Sequence, residues 1–299
     1  MTIKLTVVIP TKNRENDLVA LVESLMLQSR LPDELIIVDQ SDTPDSKNNI
    51  TGRWTKALSS ELVYILDPSI KGLVDAKRVG SDRAKNELVC FLDDDLILDK
   101  HFIREMVKPF EHDSSIFGSS GIFINFPKMS KFYKIIFSLF HRGIFKDPRP
   151  AVFRTYLGYS NELVKTSVLW GGITAWRRRI LKEVPFDTHN SLFMMEDFDY
   201  SRKVRETIED GMFINPNARA IHNHSLVNRP SEADQEERKI FEYMSYYKKS
   251  KHGHFSLMQL VWLLIGLFLD VLYKSIRSGN VTLIKAYLNG IKRSKYSEL

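Results

Sequence analysis

Cysteine is nearly absent from this chain of 299 residues, in which Cys90 is the single example. One cysteine cannot form an internal disulfide, so small disulfide-stapled scaffolds are excluded and a reducing compartment is favoured. Cys90 lies in the apolar run Leu88–Leu92, where we interpret it as a small core residue. The apolar run Leu5–Pro10 is too short for a signal peptide and is followed by charged residues. We therefore expect the main folded part of the chain to lie in the cytoplasm.

Two widespread nucleotide-binding motifs are also missing. No Gly-x-Gly-x-x-Gly follows the first apolar run, which argues against a dinucleotide-dependent oxidoreductase. No Gly-x-x-x-x-Gly-Lys-Ser/Thr occurs, which argues against a P-loop ATPase. The chain has no low-complexity tract and no detectable repeat, and its composition is that of an ordinary globular protein.

Four short apolar runs are rich in Val, Ile and Leu: Leu5–Pro10, Glu34–Asp39, Leu62–Leu66 and Leu88–Leu92. They lack polar alternation, which is typical of strands buried on both faces. Helical patterns separate the first two runs, from Leu18 to Leu25, and the last two, from Leu73 to Ala84. This alternation predicts βαβ units and a parallel sheet, and thus an α/β fold. Ligands of such sheets bind beyond the carboxyl ends of the strands.

Polar residues follow three of these runs at that edge. The first run continues into Thr11–Arg14, the second ends at Asp39 and is followed by Asp42, and the fourth leads into Asp93–Asp95. Three adjacent carboxylates repel one another unless a cation lies among them. Carboxylate oxygens suit Mg²⁺ or Mn²⁺, which in turn suit a diphosphate. The alternative is an acidic loop that caps a helix or faces water, but its place after a buried strand favours the metal.

Together these residues resemble the family 2 glycosyltransferases, inverting enzymes with the nucleotide-sugar-binding fold called GT-A. The resemblance covers about residues 3–230 and rests on motifs that are weak singly and specific as an ordered set. The matching residues are Val7-Val8-Ile9-Pro10-Thr11-Lys12-Asn13-Arg14, Asp39 with Asp42, Asp93-Asp94-Asp95, Trp170-Gly171-Gly172 with Arg177-Arg178, Phe186-Asp187, Glu196-Asp197, and Pro216, Ala218 and His222.

The resemblance implies a role for several of these positions and for Gly72 and Lys77. The donor nucleotide sugar would be bound by Pro10, Thr11, Arg14, Asp39, Asp42, Gly72, Lys77, Asp93 and Asp94. Mg²⁺ or Mn²⁺ would be held by Asp95 and His222, with His224 as the alternative to His222, and the acceptor would contact Trp170, Gly171 and Gly172. Asp197 would be the general base, and Glu196 would orient the acceptor or the base.

Some assignments have structural alternatives. Asp197 could cap a helix predicted from about Phe198 to Glu209, because Asp is favoured at that position. His222 and His224 could be ordinary polar residues on one strand face. The family commonly has Ala-Arg-Asn where this chain has Ala-Lys-Arg at residues 76–78, so Lys77 supplies a charge without the planar fork of arginine.

The C-terminal segment has a different character. Residues 240–299 carry nine Lys or Arg against three Asp or Glu, and therefore the whole net charge of +6. An anionic surface is the expected partner. The nearly unbroken apolar run Leu257–Leu269 lies inside this segment and is poor for binding phosphates, so we expect no nucleic acid.

We predict that this segment holds the protein on the cytoplasmic face of a membrane without crossing it. Leu260–Leu269 has ten consecutive apolar residues, whereas a spanning helix needs about 20. The alternative is a helix packed on the catalytic domain. An earlier apolar stripe from Phe132 to Phe140, flanked by Lys131 and Lys134, is predicted to face the core, with an interfacial helix as the alternative.

The sequence thus predicts a GT-A domain over residues 1–235 and a helical, basic, membrane-proximal segment over 236–299. The predicted function is metal-assisted, inverting transfer from a UDP- or dTDP-sugar to a glycan or lipid-linked acceptor. The alternative is an inactive relative that binds a nucleotide or glycan without turning it over. The donor sugar, the linkage and the oligomeric state stay open.

Overall fold

A computed structural model describes residues 3–43, 50–52, 54, 60–125, 130–141, 161–188, 194–208, 211–225, 227, 230–249 and 256–296. The strands are β1 (Leu5–Thr11), β2 (Glu34–Asp39), β3 (Glu61–Leu66), β4 (Leu88–Leu92), β5 (Leu96–Leu98), β6 (Gly118–Phe123), β7 (Val164–Lys165), β8 (Ile173–Arg177) and β9 (Met212–His222). The helices are α1 (Glu15–Met26), α2 (Leu73–Arg83), α3 (Phe102–His112), α4 (Lys131–Ile136), a π-helical turn (Phe137–His141), α5 (Arg178–Glu183), α6 (Glu196–Thr207), α7 (Glu232–Lys249), α8 (Leu257–Ser278) and α9 (Thr282–Tyr296).

The four predicted strands are confirmed and form a parallel half-sheet in the order β3-β2-β1-β4. Every residue of β1, β2 and β4 is buried, as the unbroken apolar runs predict. The prediction of burial on both faces is wrong for β3, which is only partly buried. β3 begins the strand order at the sheet edge, so one neighbouring strand covers it instead of two.

The second half of the sheet is mixed and continues in the order β8-β6-β9-β5. β8 runs antiparallel to β4, with Leu92 opposite Ile173, so the residues before β8 lie beside those after β4. β5 pairs antiparallel with β9, with Leu96 opposite His222. These two antiparallel pairings bring residues from the second half of the chain to the carboxyl edge of β4.

The sheet has a core on each face, because successive β1 residues point to opposite sides. Val7 and Ile9 pack in one core with α1 and α3, and Val8 packs in the other with α2 and α6. The predicted α1 stripe is confirmed, since Leu18, Leu21, Val22 and Leu25 are all buried. The result is the three-layer α/β arrangement that the sequence predicts.

The chain divides into two compact units: Met1–Phe126 with Ala151–Ser191 and Glu196–Asn228, and Pro127–Pro150 with Leu192–Met195 and Arg229–Leu299. The described residues of the second unit are helical, as predicted after about residue 230. Its α7 runs across position 235/236, where the sequence places the domain boundary. Among the described residues one helix, α8, is long and apolar enough to cross a membrane, with a mean hydropathy of 1.7 and 33% of that stretch buried.

Gly80 allows α2 to approach the sheet, because an added Cβ would overlap the Val8 side chain and touch Val38. We expect Gly80→Ala to lower the free energy of unfolding by about 1–3 kcal/mol through overpacking, despite the helix propensity of alanine. Urea denaturation measures the change. Gly52→Ala is the matched control, since nothing lies within 4 Å of its Cβ position. Adding Val8→Ala should recover part of the loss, and a Gly80→Ala protein as stable as the wild type would contradict this packing.

Candidate active site

The acidic run Asp93–Asp95 connects β4 to β5 at the carboxyl edge of the parallel strands. Asp94 joins this run to the end of β1: one carboxylate oxygen accepts a hydrogen bond from Thr11 Oγ1 at 2.8 Å, and the other accepts one from Arg14 Nη1 at 2.9 Å. Burial raises the pKa of Asp94 to about 6, although Arg14 and Thr11 oppose the shift. The two ends of adjacent strands are therefore held together by polar contacts.

A second group of ligand atoms forms around Asp95. Its Oδ1 lies 3.0 Å from His222 Nε2, and its Oδ2 accepts a hydrogen bond from Ser225 N at 2.9 Å. Burial alone would raise the pKa of Asp95, but His222 and Ser225 outweigh it and lower the pKa to about 2. Asp93, Asp95 and His222 each offer an atom within 4.8 Å of the others.

This donor set fits a divalent cation. Two carboxylates and one imidazole converge, and Asp95 is held as the anion that a metal ligand must be. The nitrogen ligand suits Mn²⁺ better than Mg²⁺, which prefers oxygen. The structure adds Asp93 to the expected pair of Asp95 and His222.

The pairing of β5 with β9 explains why His222 is the histidine in this group. His222 ends β9 opposite the residue that follows Asp95, and its ring packs 4.8 Å from that of Phe123. His224 follows the strand in a left-handed conformation with φ 52°, and its ring lies 4.1 Å from that of His222. The two histidines therefore do not share a strand face.

Asp197 lies in the first turn of α6 and is half-buried. Its carboxylate accepts hydrogen bonds from Phe198 N at 2.8 Å and Gly171 N at 3.4 Å. Loss of water and the charge of Glu196 raise the pKa of Asp197 to about 7, against the opposing charge of Lys77. Because α6 already begins at Glu196, Asp197 is inside the helix and is not its N-cap. A carboxyl with this pKa can exchange a proton near neutral pH.

Lys77 is buried directly beside this carboxyl, with 1% of its surface exposed. Its Nζ donates to Glu196 Oε1 at 2.5 Å and to Gly171 O at 3.0 Å. Burial alone would lower the pKa of Lys77, but Glu196 and Asp93 outweigh it and raise the pKa. The expected place of Lys77 is on the donor nucleotide sugar, whereas its contacts here are on the side of Asp197.

The Trp170–Gly172 segment joins the two groups. Gly171 N donates to Asp197, and Gly172 O accepts a hydrogen bond from Asp93 N at 2.9 Å. A Cβ at Gly171 would overlap the Glu196 carboxylate, and one at Gly172 would overlap that of Asp93. Both glycines are needed for this close approach. Trp170 packs against the core and is partly buried, so contact of the segment with an acceptor stays a prediction.

The remaining donor-side candidates surround the ends of β1 and β2. Asp39 is buried and accepts hydrogen bonds from Ser41 N at 2.9 Å and Tyr64 Oη at 2.6 Å. Gly72 precedes α2 with φ 92° and donates its N–H to Gln40 Oε1 at 3.0 Å. Pro10 is buried within β1, and Asp42 is exposed.

Sequence reasoning did not select four residues that support these groups: Gln40, Ser41, Tyr64 and Ser225. Gln40 and Ser41 lie between the chosen Asp39 and Asp42, so their position was a usable signal. Tyr64 contacts Asp39 because β2 and β3 pair with Ile37 opposite Tyr64, a register that the sequence does not reveal.

Solved structures resemble this fold at low sequence identity. A mannosyltransferase, PcManGT from Pyrobaculum calidifontis in complex with GDP-Man and Mn²⁺, has a TM-score of 0.64 and 14% identity, over 100% of this chain and 89% of that one. GalNAc-T7 with UDP, GalNAc and Mn²⁺ has a TM-score of 0.59 and 15% identity, over 93% of this chain and 58% of that one. A mycobacterial protein has a TM-score of 0.54 and 19% identity, over 83% and 74%.

These likenesses show that the fold is GT-A, as the sequence predicts. No curated protein sequence matches the chain. The sequence profile named glycosyl transferase family 2 matches residues 6–185, which include the acidic run, Lys77 and the Trp170–Gly172 segment. That match covers more than half of the chain, and the chain therefore belongs to glycosyl transferase family 2.

Proposed function

We propose that this glycosyltransferase moves a sugar, with inversion, from a UDP- or dTDP-sugar to a hydroxyl of a glycan or lipid-linked acceptor. One observation carries the proposal: a cation-binding group and a carboxyl with a pKa of about 7 are joined by two consecutive glycines. Gly171 contacts Asp197, and Gly172 contacts Asp93. Metal-assisted inverting transfer uses a cation at the leaving diphosphate and a base at the attacking hydroxyl, on opposite sides of one anomeric carbon.

The donor end of the reaction is assigned to the acidic run. Asp93, Asp95 and His222 would hold Mn²⁺ or Mg²⁺, and the bound cation would supply positive charge to the diphosphate leaving group. Arg14 and Thr11 fix the Asp94 carboxylate, and Arg14 adds a positive charge at the same edge. These residues would orient the diphosphate for departure.

The acceptor end is assigned to Asp197. Its carboxylate takes the proton of the acceptor hydroxyl while that oxygen forms a bond to the anomeric carbon. The bond from the anomeric carbon to the diphosphate breaks, and the electron pair leaves with the nucleoside diphosphate. Attack opposite the leaving group inverts the anomeric centre. Glu196, which is ion-paired with Lys77, would position the base or the acceptor.

Two of the similar structures support a nucleotide donor and a metal, since one contains GDP-Man with Mn²⁺ and the other UDP with Mn²⁺. A thermal-shift screen of UDP-, dTDP- and GDP-sugars, with and without Mn²⁺, tests the donor. Ligand at 100 times its dissociation constant adds about 2.7 kcal/mol of stability. Strongest stabilisation by a GDP-sugar would overturn the preference for UDP or dTDP.

The second candidate function is binding of a nucleotide or glycan without turnover. The retention of both Asp95, in the cation-binding group, and Asp197, a carboxyl that can take a proton, argues against it, because a protein that only binds needs no proton acceptor. Release of nucleoside diphosphate in the presence of acceptor separates the two. Binding of a nucleotide sugar with no release in any acceptor mixture would favour the second candidate.

We expect donor binding and transfer to require a divalent cation. EDTA should abolish transfer and added Mn²⁺ should restore it, while Asp95→Asn should lower transfer by about 10²-fold or more through loss of an anionic ligand. Calorimetry should show weaker Mn²⁺ binding by this variant. Asp99→Asn is the matched control, because Asp99 is exposed and its carboxylate accepts a hydrogen bond from His101 N that asparagine can also accept. Full activity in EDTA would refute the metal assignment.

We expect Asp197→Asn to keep donor binding near the wild-type value and to reduce transfer by about 10²-fold or more. Asparagine can still accept the hydrogen bond from Phe198 N, but it cannot take the acceptor proton. Calorimetry measures donor binding, and nucleoside diphosphate release measures transfer. Glu206→Gln, an exposed ion-pair change on the same helix, is the control. Normal transfer by Asp197→Asn would leave Asp197 without a catalytic role.

The pKa of Asp197 predicts the pH dependence of transfer. The base acts when deprotonated, so kcat/KM should rise with pH, level off above about pH 7, and fall about tenfold per unit below it. Because the charge of Glu196 raises the pKa of Asp197, Glu196→Gln should shift the pH below which kcat/KM falls to a lower value. The double variant Lys77→Met/Glu196→Gln also removes the charge of Lys77, which lowers the pKa of Asp197, so its activity should fall off at a higher pH than that of Glu196→Gln alone. An unchanged pH dependence of kcat/KM in Glu196→Gln would contradict the electrostatic effect of Glu196 on Asp197.

A further inference from the structure

Helix α8 of the second unit has one face fixed against protein. Its buried residues recur every three or four positions, as Leu260, Leu263, Leu267 and Val271. Gly266 lies on this face, and a Cβ there would overlap the Phe140 ring. This face is therefore packed closely and is not available to lipid.

The same face carries buried charges. Asp270 has 4% of its surface exposed and pairs with Lys274 at 2.9 Å. Lys274 also pairs with Glu236 of α7 at 2.9 Å, and Glu236 pairs with Lys239. If α8 crossed a bilayer with its packing intact, this ionic group and α7 would enter the hydrocarbon with it. Charges are costly there, so the packing argues against a span.

Helix α9 folds back against α8 and α7. Tyr287 Oη donates to Leu264 O, near the middle of α8, at 2.8 Å. Arg293 of α9 stacks over the Phe241 ring of α7 with its guanidinium carbon 4.6 Å from the ring centroid. Lys285 and Lys292 of α9 are exposed. The middle of α8 is thus bordered by a basic helix, which again suits a helix that lies along a membrane surface.

The opposite side of α8 is apolar and open. Leu257, Met258, Val261 and Ile265 are between 44% and 62% exposed. Leu257, Val261 and Ile265 lie one turn apart, and Met258 adjoins Leu257. The neighbouring residues Leu264, Phe268 and Leu272 are half-buried. Such a continuous exposed apolar stripe on a helix marks a surface that binds a partner.

A second segment with exposed apolar residues packs along α8. The residues Lys131–His141 run antiparallel to α8, because Phe132 stacks on Tyr273 with ring centroids 4.3 Å apart and Trp262 Nε1 donates to Leu139 O at 2.9 Å. Of the predicted stripe here, Ile136 and Phe140 are buried, as the core-facing interpretation requires. Ile135 and Leu139 are 58% and 51% exposed instead.

The geometry points to a membrane-docking surface, which we call the outer face: Ile135, Leu139, Leu257, Met258, Val261 and Ile265. We propose that the outer face inserts into the headgroup region of a bilayer that contains anionic lipid, with α8 lying in the membrane plane. Lys131 and Lys134 are exposed on the same segment as Ile135 and complement anionic headgroups.

A second copy of this chain is a less suitable occupant. A two-fold contact places the same patch on both sides, so the lysines that flank one outer face would approach those of the other. Anionic headgroups instead offer opposite charge to Lys131 and Lys134. The proposal does not depend on the chemistry of sugar transfer, because it uses residues of the second unit alone.

The test is co-sedimentation of the full-length protein with vesicles of phosphatidylcholine, with or without phosphatidylglycerol. The wild type should bind the phosphatidylglycerol vesicles, and Val261→Glu/Ile265→Glu should lower the bound fraction about tenfold or more. Leu27→Glu is the matched control, because Leu27 is 74% exposed and lies in the first unit. Circular dichroism, melting temperature and nucleotide binding should be unchanged in both variants, which separates this result from any failure of the enzymatic proposal.

In Lys131→Gln/Lys134→Gln, binding should depend much less on phosphatidylglycerol and on salt concentration than in the wild type. The part of the binding that comes from the apolar residues should be retained. The proposal is overturned if the folded wild type binds neither vesicle, or if Val261→Glu/Ile265→Glu binds as the wild type does. A wild-type dimer that the double glutamate variant converts to a monomer, with vesicle binding unaltered, would assign the outer face to a second copy. Resistance to carbonate extraction, with a C-terminal tag exposed on the far side, would show a span.

Discussion

Repulsion among clustered carboxylates is the constraint on which the architecture of the site depends. The acidic run at the end of β4 and the Glu196–Asp197 pair at the start of α6 meet at one sheet edge through the Trp170–Gly172 segment. Such a cluster is stable only where cations or N–H groups face it. Arg14 meets the run from β1, and Lys77 meets Glu196 from α2. Arg14 comes from the segment that follows β1, and Lys77 comes from the helix that follows β3.

This balance is local, and it gives neighbouring carboxyls different properties. The pKa of Asp95 is lowered to about 2 by its hydrogen-bond donors, whereas that of Asp197 is raised to about 7 by burial and by Glu196. An anionic ligand is needed beside a metal, and a proton acceptor is needed beside a hydroxyl. In the mechanism that we propose, this separation of pKa values within one acidic cluster divides donor activation from base catalysis.

In the second unit, the apolar helix α8 has two faces with different surroundings. One face is buried against protein and carries leucines together with an ionic group that includes Asp270 and Lys274. The other face leaves Val261 and Ile265 exposed. The sequence predicts a helix on a membrane surface, with a core helix as the alternative, and α8 has one buried face and one exposed apolar face.

The sequence by itself determined the parallel strands, α1, the acidic run and the order of the motifs, because these depend on local apolar periodicity and on adjacent residue types. Only the tertiary structure decided the pairings of β5 with β9 and β8 with β4, which bring His222 to Asp95 and Gly172 to Asp93. Register between strands distant in sequence leaves no local pattern. The sequence could not identify Glu196 as the partner of Lys77 for the same reason, because 119 positions separate the two residues and they meet only in the folded interior.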